Sequence, residues 1–221
     1  MSAALEIAGL WAAFAVTHIG LSSLRLRPLV VARLGERGHQ AVYSLLALSI
    51  FIPLVGLYFG NKHAGPWLWQ LPRGRLLEGI LYVGMAFAFV MVTAALGRPS
   101  PAVLPTGPGQ ARGIYRITRH PLIMGFALFG ALHLLPNGAA SDVAFFGGFV
   151  VFALLGCGHQ DRRKLALGNP VFREFHAATP FLPFAGRQTL RGLRELSPLI
   201  VAIGVGLTVL VRSFHARWFG G

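Results

Sequence analysis

Cysteine is almost missing from this chain. Cys157 stands alone among 221 residues, which excludes an internal disulfide framework and a cysteine-rich metal site. Charge is scarce as well. Only 12% of the residues are Asp, Glu, Lys or Arg, against roughly 25% in ordinary soluble domains. Acid is scarcest of all, with seven Asp and Glu against twenty Lys and Arg. The sequence carries no phosphate-binding loop, no Rossmann fingerprint and no legible nucleophile triad. Repeats, low-complexity tracts and a soluble domain are missing too.

What is abundant is apolar. The apolar share is 54% and the mean hydropathy +0.62, more than one water-soluble core of this size could hide. Six apolar runs stand out, at residues 5–24, 42–60, 76–96, 121–135, 143–158 and 196–211. Uncharged runs of roughly 18 residues or more read as bilayer-spanning helices. The expectation is an all-α, polytopic membrane helix bundle with about six transmembrane helices, one domain over residues 1–221. The fourth and fifth runs are short for a full span and suggest a hairpin that dips partway. Their connector, Leu135-Pro136-Asn137-Gly138, is a tight turn by composition.

A formal net charge of +13 would suit a nucleic-acid binder, but the basic residues lie in short segments between apolar runs. That is the pattern of the positive-inside rule, and the partner it indicates is the lipid bilayer rather than nucleic acid. Fifteen Lys and Arg fall after the first, third and fifth runs, and five on the other side. The three basic loops are therefore expected in the cytoplasm and both termini outside. The first run carries Glu6 and is followed, not preceded, by basic residues, unlike a cleaved signal peptide. Trp67, Trp69 and Trp218 read as interfacial anchors, and Glu78 as a partner for Arg73 or Arg75.

Ionisable groups inside a membrane are costly and mark either function or a buried pair. His18 lies in the first run, ~10 Å below the level of Arg25 by helical rise. His133 lies in the fourth run, about 20 Å from Arg119 by the same rise. His159 ends the fifth run, two residues before Asp161. Each alone reads first as a neutral core histidine, yet histidine is also the commonest metal ligand and an axial ligand for haem iron. A second cluster is Arg116-Ile117-Thr118-Arg119-His120-Pro121. Thr118 suits an N-cap and Pro121 a first helical turn. Helix-start N–H groups beside Arg116 and Arg119 would make an anion site, unless these arginines merely contact lipid phosphates. Asp161, among the cations of Gln160-Asp161-Arg162-Arg163-Lys164, is placed to pair with an arginine near Arg119 and clamp the fourth run to the fifth. Residues 172–184, with four phenylalanines and two prolines, suggest an interfacial lid.

These motifs together resemble the NnrU family of bacterial membrane proteins, in the branch close to plant zeta-carotene isomerase. The matching runs are Thr17-His18-Ile19-Gly20-Leu21-Ser22-Ser23-Leu24-Arg25, Leu34-Gly35-Glu36-Arg37, Leu68-Trp69-Gln70-Leu71, Ile117-Thr118-Arg119-His120-Pro121, Ala131-Leu132-His133, Asp161-Arg162-Arg163, Phe181-Leu182-Pro183-Phe184 and Trp218. The resemblance implies a multi-pass protein of the bacterial inner membrane. For the isomerase branch it implies a redox-gated haem b acting on a cis double bond of a carotenoid-like, lipophilic small molecule. For NnrU proteins proper it implies a role in nitrite and nitric oxide reduction, which an accessory protein without catalysis would also satisfy. It nominates His120, His133 and Asp161 for catalysis, His18, Arg119 and Arg162 for cofactor binding, and His18 as the metal ligand; His159 joins the cofactor-binding candidates as a replacement for a second ligand. Where it implies a histidine pair in the fifth run, this chain has Phe152 and Ala153. Any haem is therefore expected to be five-coordinate or weakly held. A more distant resemblance, over residues 113–125, is to isoprenylcysteine and phospholipid methyltransferases, whose Arg-His-Pro motif helps bind S-adenosylmethionine.

Reporter fusions test the orientation. Fusions after Glu36, Gln110 and Arg187 are expected to report cytoplasm, and fusions after Gly65 and Gly221 the opposite side. A cytoplasmic report from Gly221 would break the six-span arrangement.

Overall fold

The computed structural model describes residues 2–72, 74–101 and 110–219. Among them are eight α-helices and no strand beyond a single isolated bridge between Trp67 and Ala139. The helices are α1 (Ala3–Leu21), α2 (Leu26–Gly60), α3 (Arg75–Gly97), α4 (Pro121–Leu134), α5 (Ala140–Ala166), α6 (Pro170–Ala178), α7 (Thr189–Arg194) and α8 (Pro198–Phe219), with a 3₁₀ turn over Gly113–Arg116. Five of them, α1, α2, α3, α5 and α8, are long and apolar enough to cross a membrane. Their outer faces show why they need one: Leu5, Val16, Leu45, Ile52, Leu76, Val83 and Leu199 are all exposed. Apolar side chains laid out this densely suit lipid and not water. α4 is also apolar, but its 14 residues span only ~21 Å.

Three boundaries differ from the sequence expectation. α5 runs on to Ala166 and has 27 residues, so it is a full-length span and not half of a shallow hairpin. The short estimate stopped at Gly158, where charge begins, but helical hydrogen bonding continues through the charged turn. Residues 26–34, expected as a basic loop, are helical, since Leu, Ala and Arg favour helix and Pro28 falls in the first turn, where its missing N–H is tolerated. The break falls at Gly35, whose φ of 71° glycine adopts without steric cost. Arg27 and Glu36 pair across that break at 2.7 Å. The third difference is α6. It is amphipathic, with Phe172 and Phe175 buried and Val171, Arg173 and Glu174 exposed, so two of the phenylalanines of the expected lid pack on protein. The turn at residues 135–138 and the start of α4 at Pro121 are as expected. Glu78 makes no ion pair among the described residues, and Arg73 lies outside them.

The chain forms two compact units. The first comprises Met1–Pro72 and His133–His159. Its core comes from Ile7, Trp11 and Phe14 on one face of α1, Leu54 and Tyr58 on α2, and Phe145, Phe146 and Ala153 on α5. On α1 and α2 the spacings of three and four residues are those that line one side of a helix. The Trp11 indole N–H donates to the Phe145 carbonyl at 3.0 Å, so the large ring is buried without an orphaned donor.

The second unit comprises Arg73–Leu132 and Gln160–Gly221. Here glycines set the helix spacing. A Cβ on Gly204 of α8 would come within 2.8 Å of the Val90 backbone on α3, and one on Gly125 of α4 within 3.1 Å of the Ala88 carbonyl. Close backbone approach of this kind lets helices gain van der Waals contact where no water is left to expel.

Gly204→Ala is expected to destabilise the protein by about 1–3 kcal/mol, because the clash is with backbone. Gly206→Ala, two residues on, adds its methyl to open space. It should leave the melting temperature in detergent unchanged or raise it slightly.

Candidate functional site

The second unit holds the Arg-His-Pro cluster. α4 starts at Pro121, where a missing N–H costs nothing. The preceding residues are strapped to the segment after α6. Arg119 N–H donates to the Pro180 carbonyl at 2.9 Å, Phe184 N–H to Ile117 O at 3.2 Å, and the Thr118 hydroxyl to Phe181 O at 2.7 Å. Thr118 is thus a strap and not the N-cap, although its oxygen also accepts from His120 N–H.

This geometry turns Arg119 and His120 onto one carboxylate. Arg119 Nε donates to Asp161 Oδ2 at 2.8 Å, and Nη1 to the Thr179 carbonyl at 2.7 Å. His120 Nε2 lies 2.9 Å from Asp161 Oδ1, which fixes a proton on that nitrogen. The guanidinium also sits over the Phe181 ring. Thr118, Arg119, His120 and Asp161 are all buried. The anion expected at the start of α4 is therefore the chain's own Asp161, and the clamp between α4 and α5 forms. His176 approaches the same carboxylate to 3.7 Å. Its burial, and next the Arg119 charge, lower its pKa, so the ring is neutral at pH 7.

Arg116, expected to enter beside Arg119, goes elsewhere. It bonds Glu195 through Nε at 2.8 Å. Glu195 also accepts from the Gly113 N–H and from Arg191. The Gly113 N–H, then Arg116, hold the Glu195 carboxyl down to about 2.

In the first unit, His18 on α1 is boxed by aromatic rings. Tyr43 lies at 4.3 Å, Phe14 at 5.0 Å in a stacked arrangement, and Phe152 at 5.3 Å edge-on. Its Nδ1 is buried and has no hydrogen-bond partner among the described residues. A buried polar atom of that kind calls for a ligand or a water. Phe152, one of the two positions where the resemblance implies histidine, is the side chain that meets His18, and Ala153 is fully buried.

The other nominated residues disperse. His133 belongs to the first unit and stacks on Phe146 at 4.6 Å. His159 also falls in the first unit, and Arg162 is an exposed residue of α5 beside Asp161. Among the described residues, no three His, Cys, Asp or Glu side chains gather as a metal cage.

The sequence reading missed one cluster. Asp142 in the first turn of α5 is completely buried. It accepts from the Tyr58 hydroxyl at 3.1 Å and from His63, whose Nδ1 lies 2.8 Å away. The available signal was a rare acid beside an apolar run, but that run was begun one residue too late, at Val143.

The NnrU protein family model matches residues 6–221. The chain belongs to the NnrU family. Among curated proteins, this NnrU protein is 27% identical over 190 residues to a chloroplastic 15-cis-zeta-carotene isomerase of Zea mays. It is 26% identical over 190 residues to the corresponding protein of Arabidopsis thaliana. Each match covers 80% of this chain and 50% of the relative, so the chain spans about half the length of these proteins. No solved structure matches it.

The clamp predicts strong coupling. Arg119→Ala and Asp161→Ala should each cost about 3–5 kcal/mol, because each strands a buried charge. The double variant should cost far less than the sum. Additive losses would mean that the two side chains act independently.

Proposed function

We propose that this NnrU protein is a membrane cis–trans isomerase of a long polyene of the carotenoid class, organised around His18. The observation that carries this reading is the buried, unpartnered Nδ1 of His18 inside a box of aromatic rings. The names of the curated relatives support it. Isomerisation gains and loses no atoms. One double bond must lose bond order long enough to rotate, and then regain it. Such a reaction needs no nucleophile and no water. It needs an apolar seat and a group that perturbs π electrons.

His18 would hold a haem b through its imidazole, which is short of a partner and sits in apolar surroundings. Phe152 and Ala153 offer no second ligand. A bound haem would supply a one-electron centre beside the conjugated chain. The protein's own part is to hold the imidazole by packing it against Phe14, Tyr43 and Phe152, and to keep water from it. The Arg119–His120–Asp161 network is a positioning device in this reading, since its charges already face one another.

Protein purified from haem-supplemented cells is expected to give a five-coordinate, high-spin spectrum on reduction. His18→Ala should abolish that spectrum, together with cis-to-trans conversion of an added carotenoid followed by chromatography. A low-spin, six-coordinate spectrum that survives His18→Ala would make His18 an ordinary core residue.

A further inference from the structure

Asp142 has no part in that reaction, yet its carboxylate is wholly buried. It accepts from the Tyr58 hydroxyl, from His63 N–H at 3.3 Å and from His63 Nδ1. His63 is held at a positive φ of 57°, uncommon for a residue with a side chain. Its ring, half exposed, stacks against Trp67. The neighbouring Ser141 hydroxyl accepts from Ala64 N–H. The loop after α2 is thus built around this carboxylate.

Tyr58 differs from Tyr82 and Tyr115 in its hydrogen bond. Tyr115 donates to a backbone carbonyl, that of Arg98, and Tyr82 faces the Arg212 guanidinium. Neither partner takes up a proton readily, whereas a carboxylate does. Tyr58 also lies flat on Phe145, with ring centres 4.0 Å apart and planes within 2°. From Phe145 the rings continue without a gap within the first unit. Phe149 follows at 5.5 Å, Trp11 at 4.9 Å and Phe14 at 5.8 Å, and then His18 at 5.0 Å.

We propose that Tyr58 is a redox-active tyrosine. It gives up one electron inward along this row of rings, while its phenolic proton crosses to Asp142. The O–H bond of Tyr58 breaks and an O–H bond forms on Asp142 Oδ1. Tyrosine becomes a neutral radical, the carboxylate becomes a neutral acid, and a one-electron oxidant is reduced by one electron. Loss of an electron makes a phenol strongly acidic, so a base already hydrogen-bonded to it makes the oxidation feasible. Returning the electron returns the proton. His63 donates to the same carboxylate and opens the pair to water. Trp11, in the middle of the row, is the other readily oxidised side chain on the route. The inference rests on the proposed function only for its inner oxidant, a haem-class centre at His18 in an oxidation state above ferric, because ferric haem is too weak an oxidant to take an electron from a phenol. The chemistry of the tyrosine itself stands without it.

The test therefore uses full-length protein in detergent, purified without haem, and a photogenerated ruthenium(III) polypyridyl complex as oxidant. Electron paramagnetic resonance of the frozen sample is expected to show a tyrosyl radical that narrows when the tyrosine rings are deuterated. Tyr58→Phe, which keeps the stacked ring, should lose that signal, whereas Tyr82→Phe and Tyr115→Phe should keep it. Asp142→Asn, checked for retained helix content by circular dichroism, should lower the radical yield. A wild type without a tyrosyl signal, a Tyr58→Phe protein that keeps it, or a folded Asp142→Asn protein with undiminished yield would each overturn the proposal. Since haem is left out, the reduced spectrum decides His18 separately.

Discussion

An ionised carboxylate placed among apolar helices must find partners, and this chain has only seven to place. Three of them each hold a junction together. Asp142 binds the loop after α2 to the start of α5. Asp161 binds the entry to α4 to the last turns of α5, with the segment after α6 sharing Arg119. Glu195 gathers Gly113, Arg116 and Arg191 just ahead of α8. Asp142 and Glu195 each collect three donors and Asp161 two, because one hydrogen bond does not repay the desolvation of a charge. The apolar faces choose the environment of the helices but are poor at specifying register. In lipid, the carboxylates and the glycine contacts supply that specificity.

The class of fold was legible because hydropathy reports directly on the solvent a helix requires. The Arg119–Asp161 pair was legible for a similar reason: an isolated acid among cations, near a membrane, has few alternatives. Helix ends were less so. α5 continues past Gly158 because charge at the end of a helix does not stop hydrogen bonding, and Gly35 interrupts α2 by backbone conformation rather than by composition. Arg116 and Arg119 are three residues apart and looked like a pair. Only the fold shows that the 3₁₀ turn at Gly113–Arg116 sends one to Glu195 and the other to Asp161. Asp142 was invisible for another reason. Its partners, Tyr58 and His63, are ordinary residues about eighty positions away, and no spacing rule links them.

The family relationship and the packing bear on position 152 from opposite directions. Sequence resemblance implies histidine at 152 and 153, and packing puts residue 152 against His18. A phenylalanine there converts an imidazole pair into a single imidazole walled by rings. Position 152 therefore presents a ring, not a second imidazole, to His18.

The two units divide polar and apolar work differently. In the second, both oxygens of Asp161 accept from Arg119 and His120, so the buried charges compensate one another and hold the chain's own helices. Charges already compensated by partners gain less from a further one. In the first, His18 keeps a buried nitrogen with nothing to bond, and Tyr58 keeps a proton on the edge of a carboxylate. Under the proposed function, that buried nitrogen without a partner, more than depth or net charge, is what sets the first unit apart.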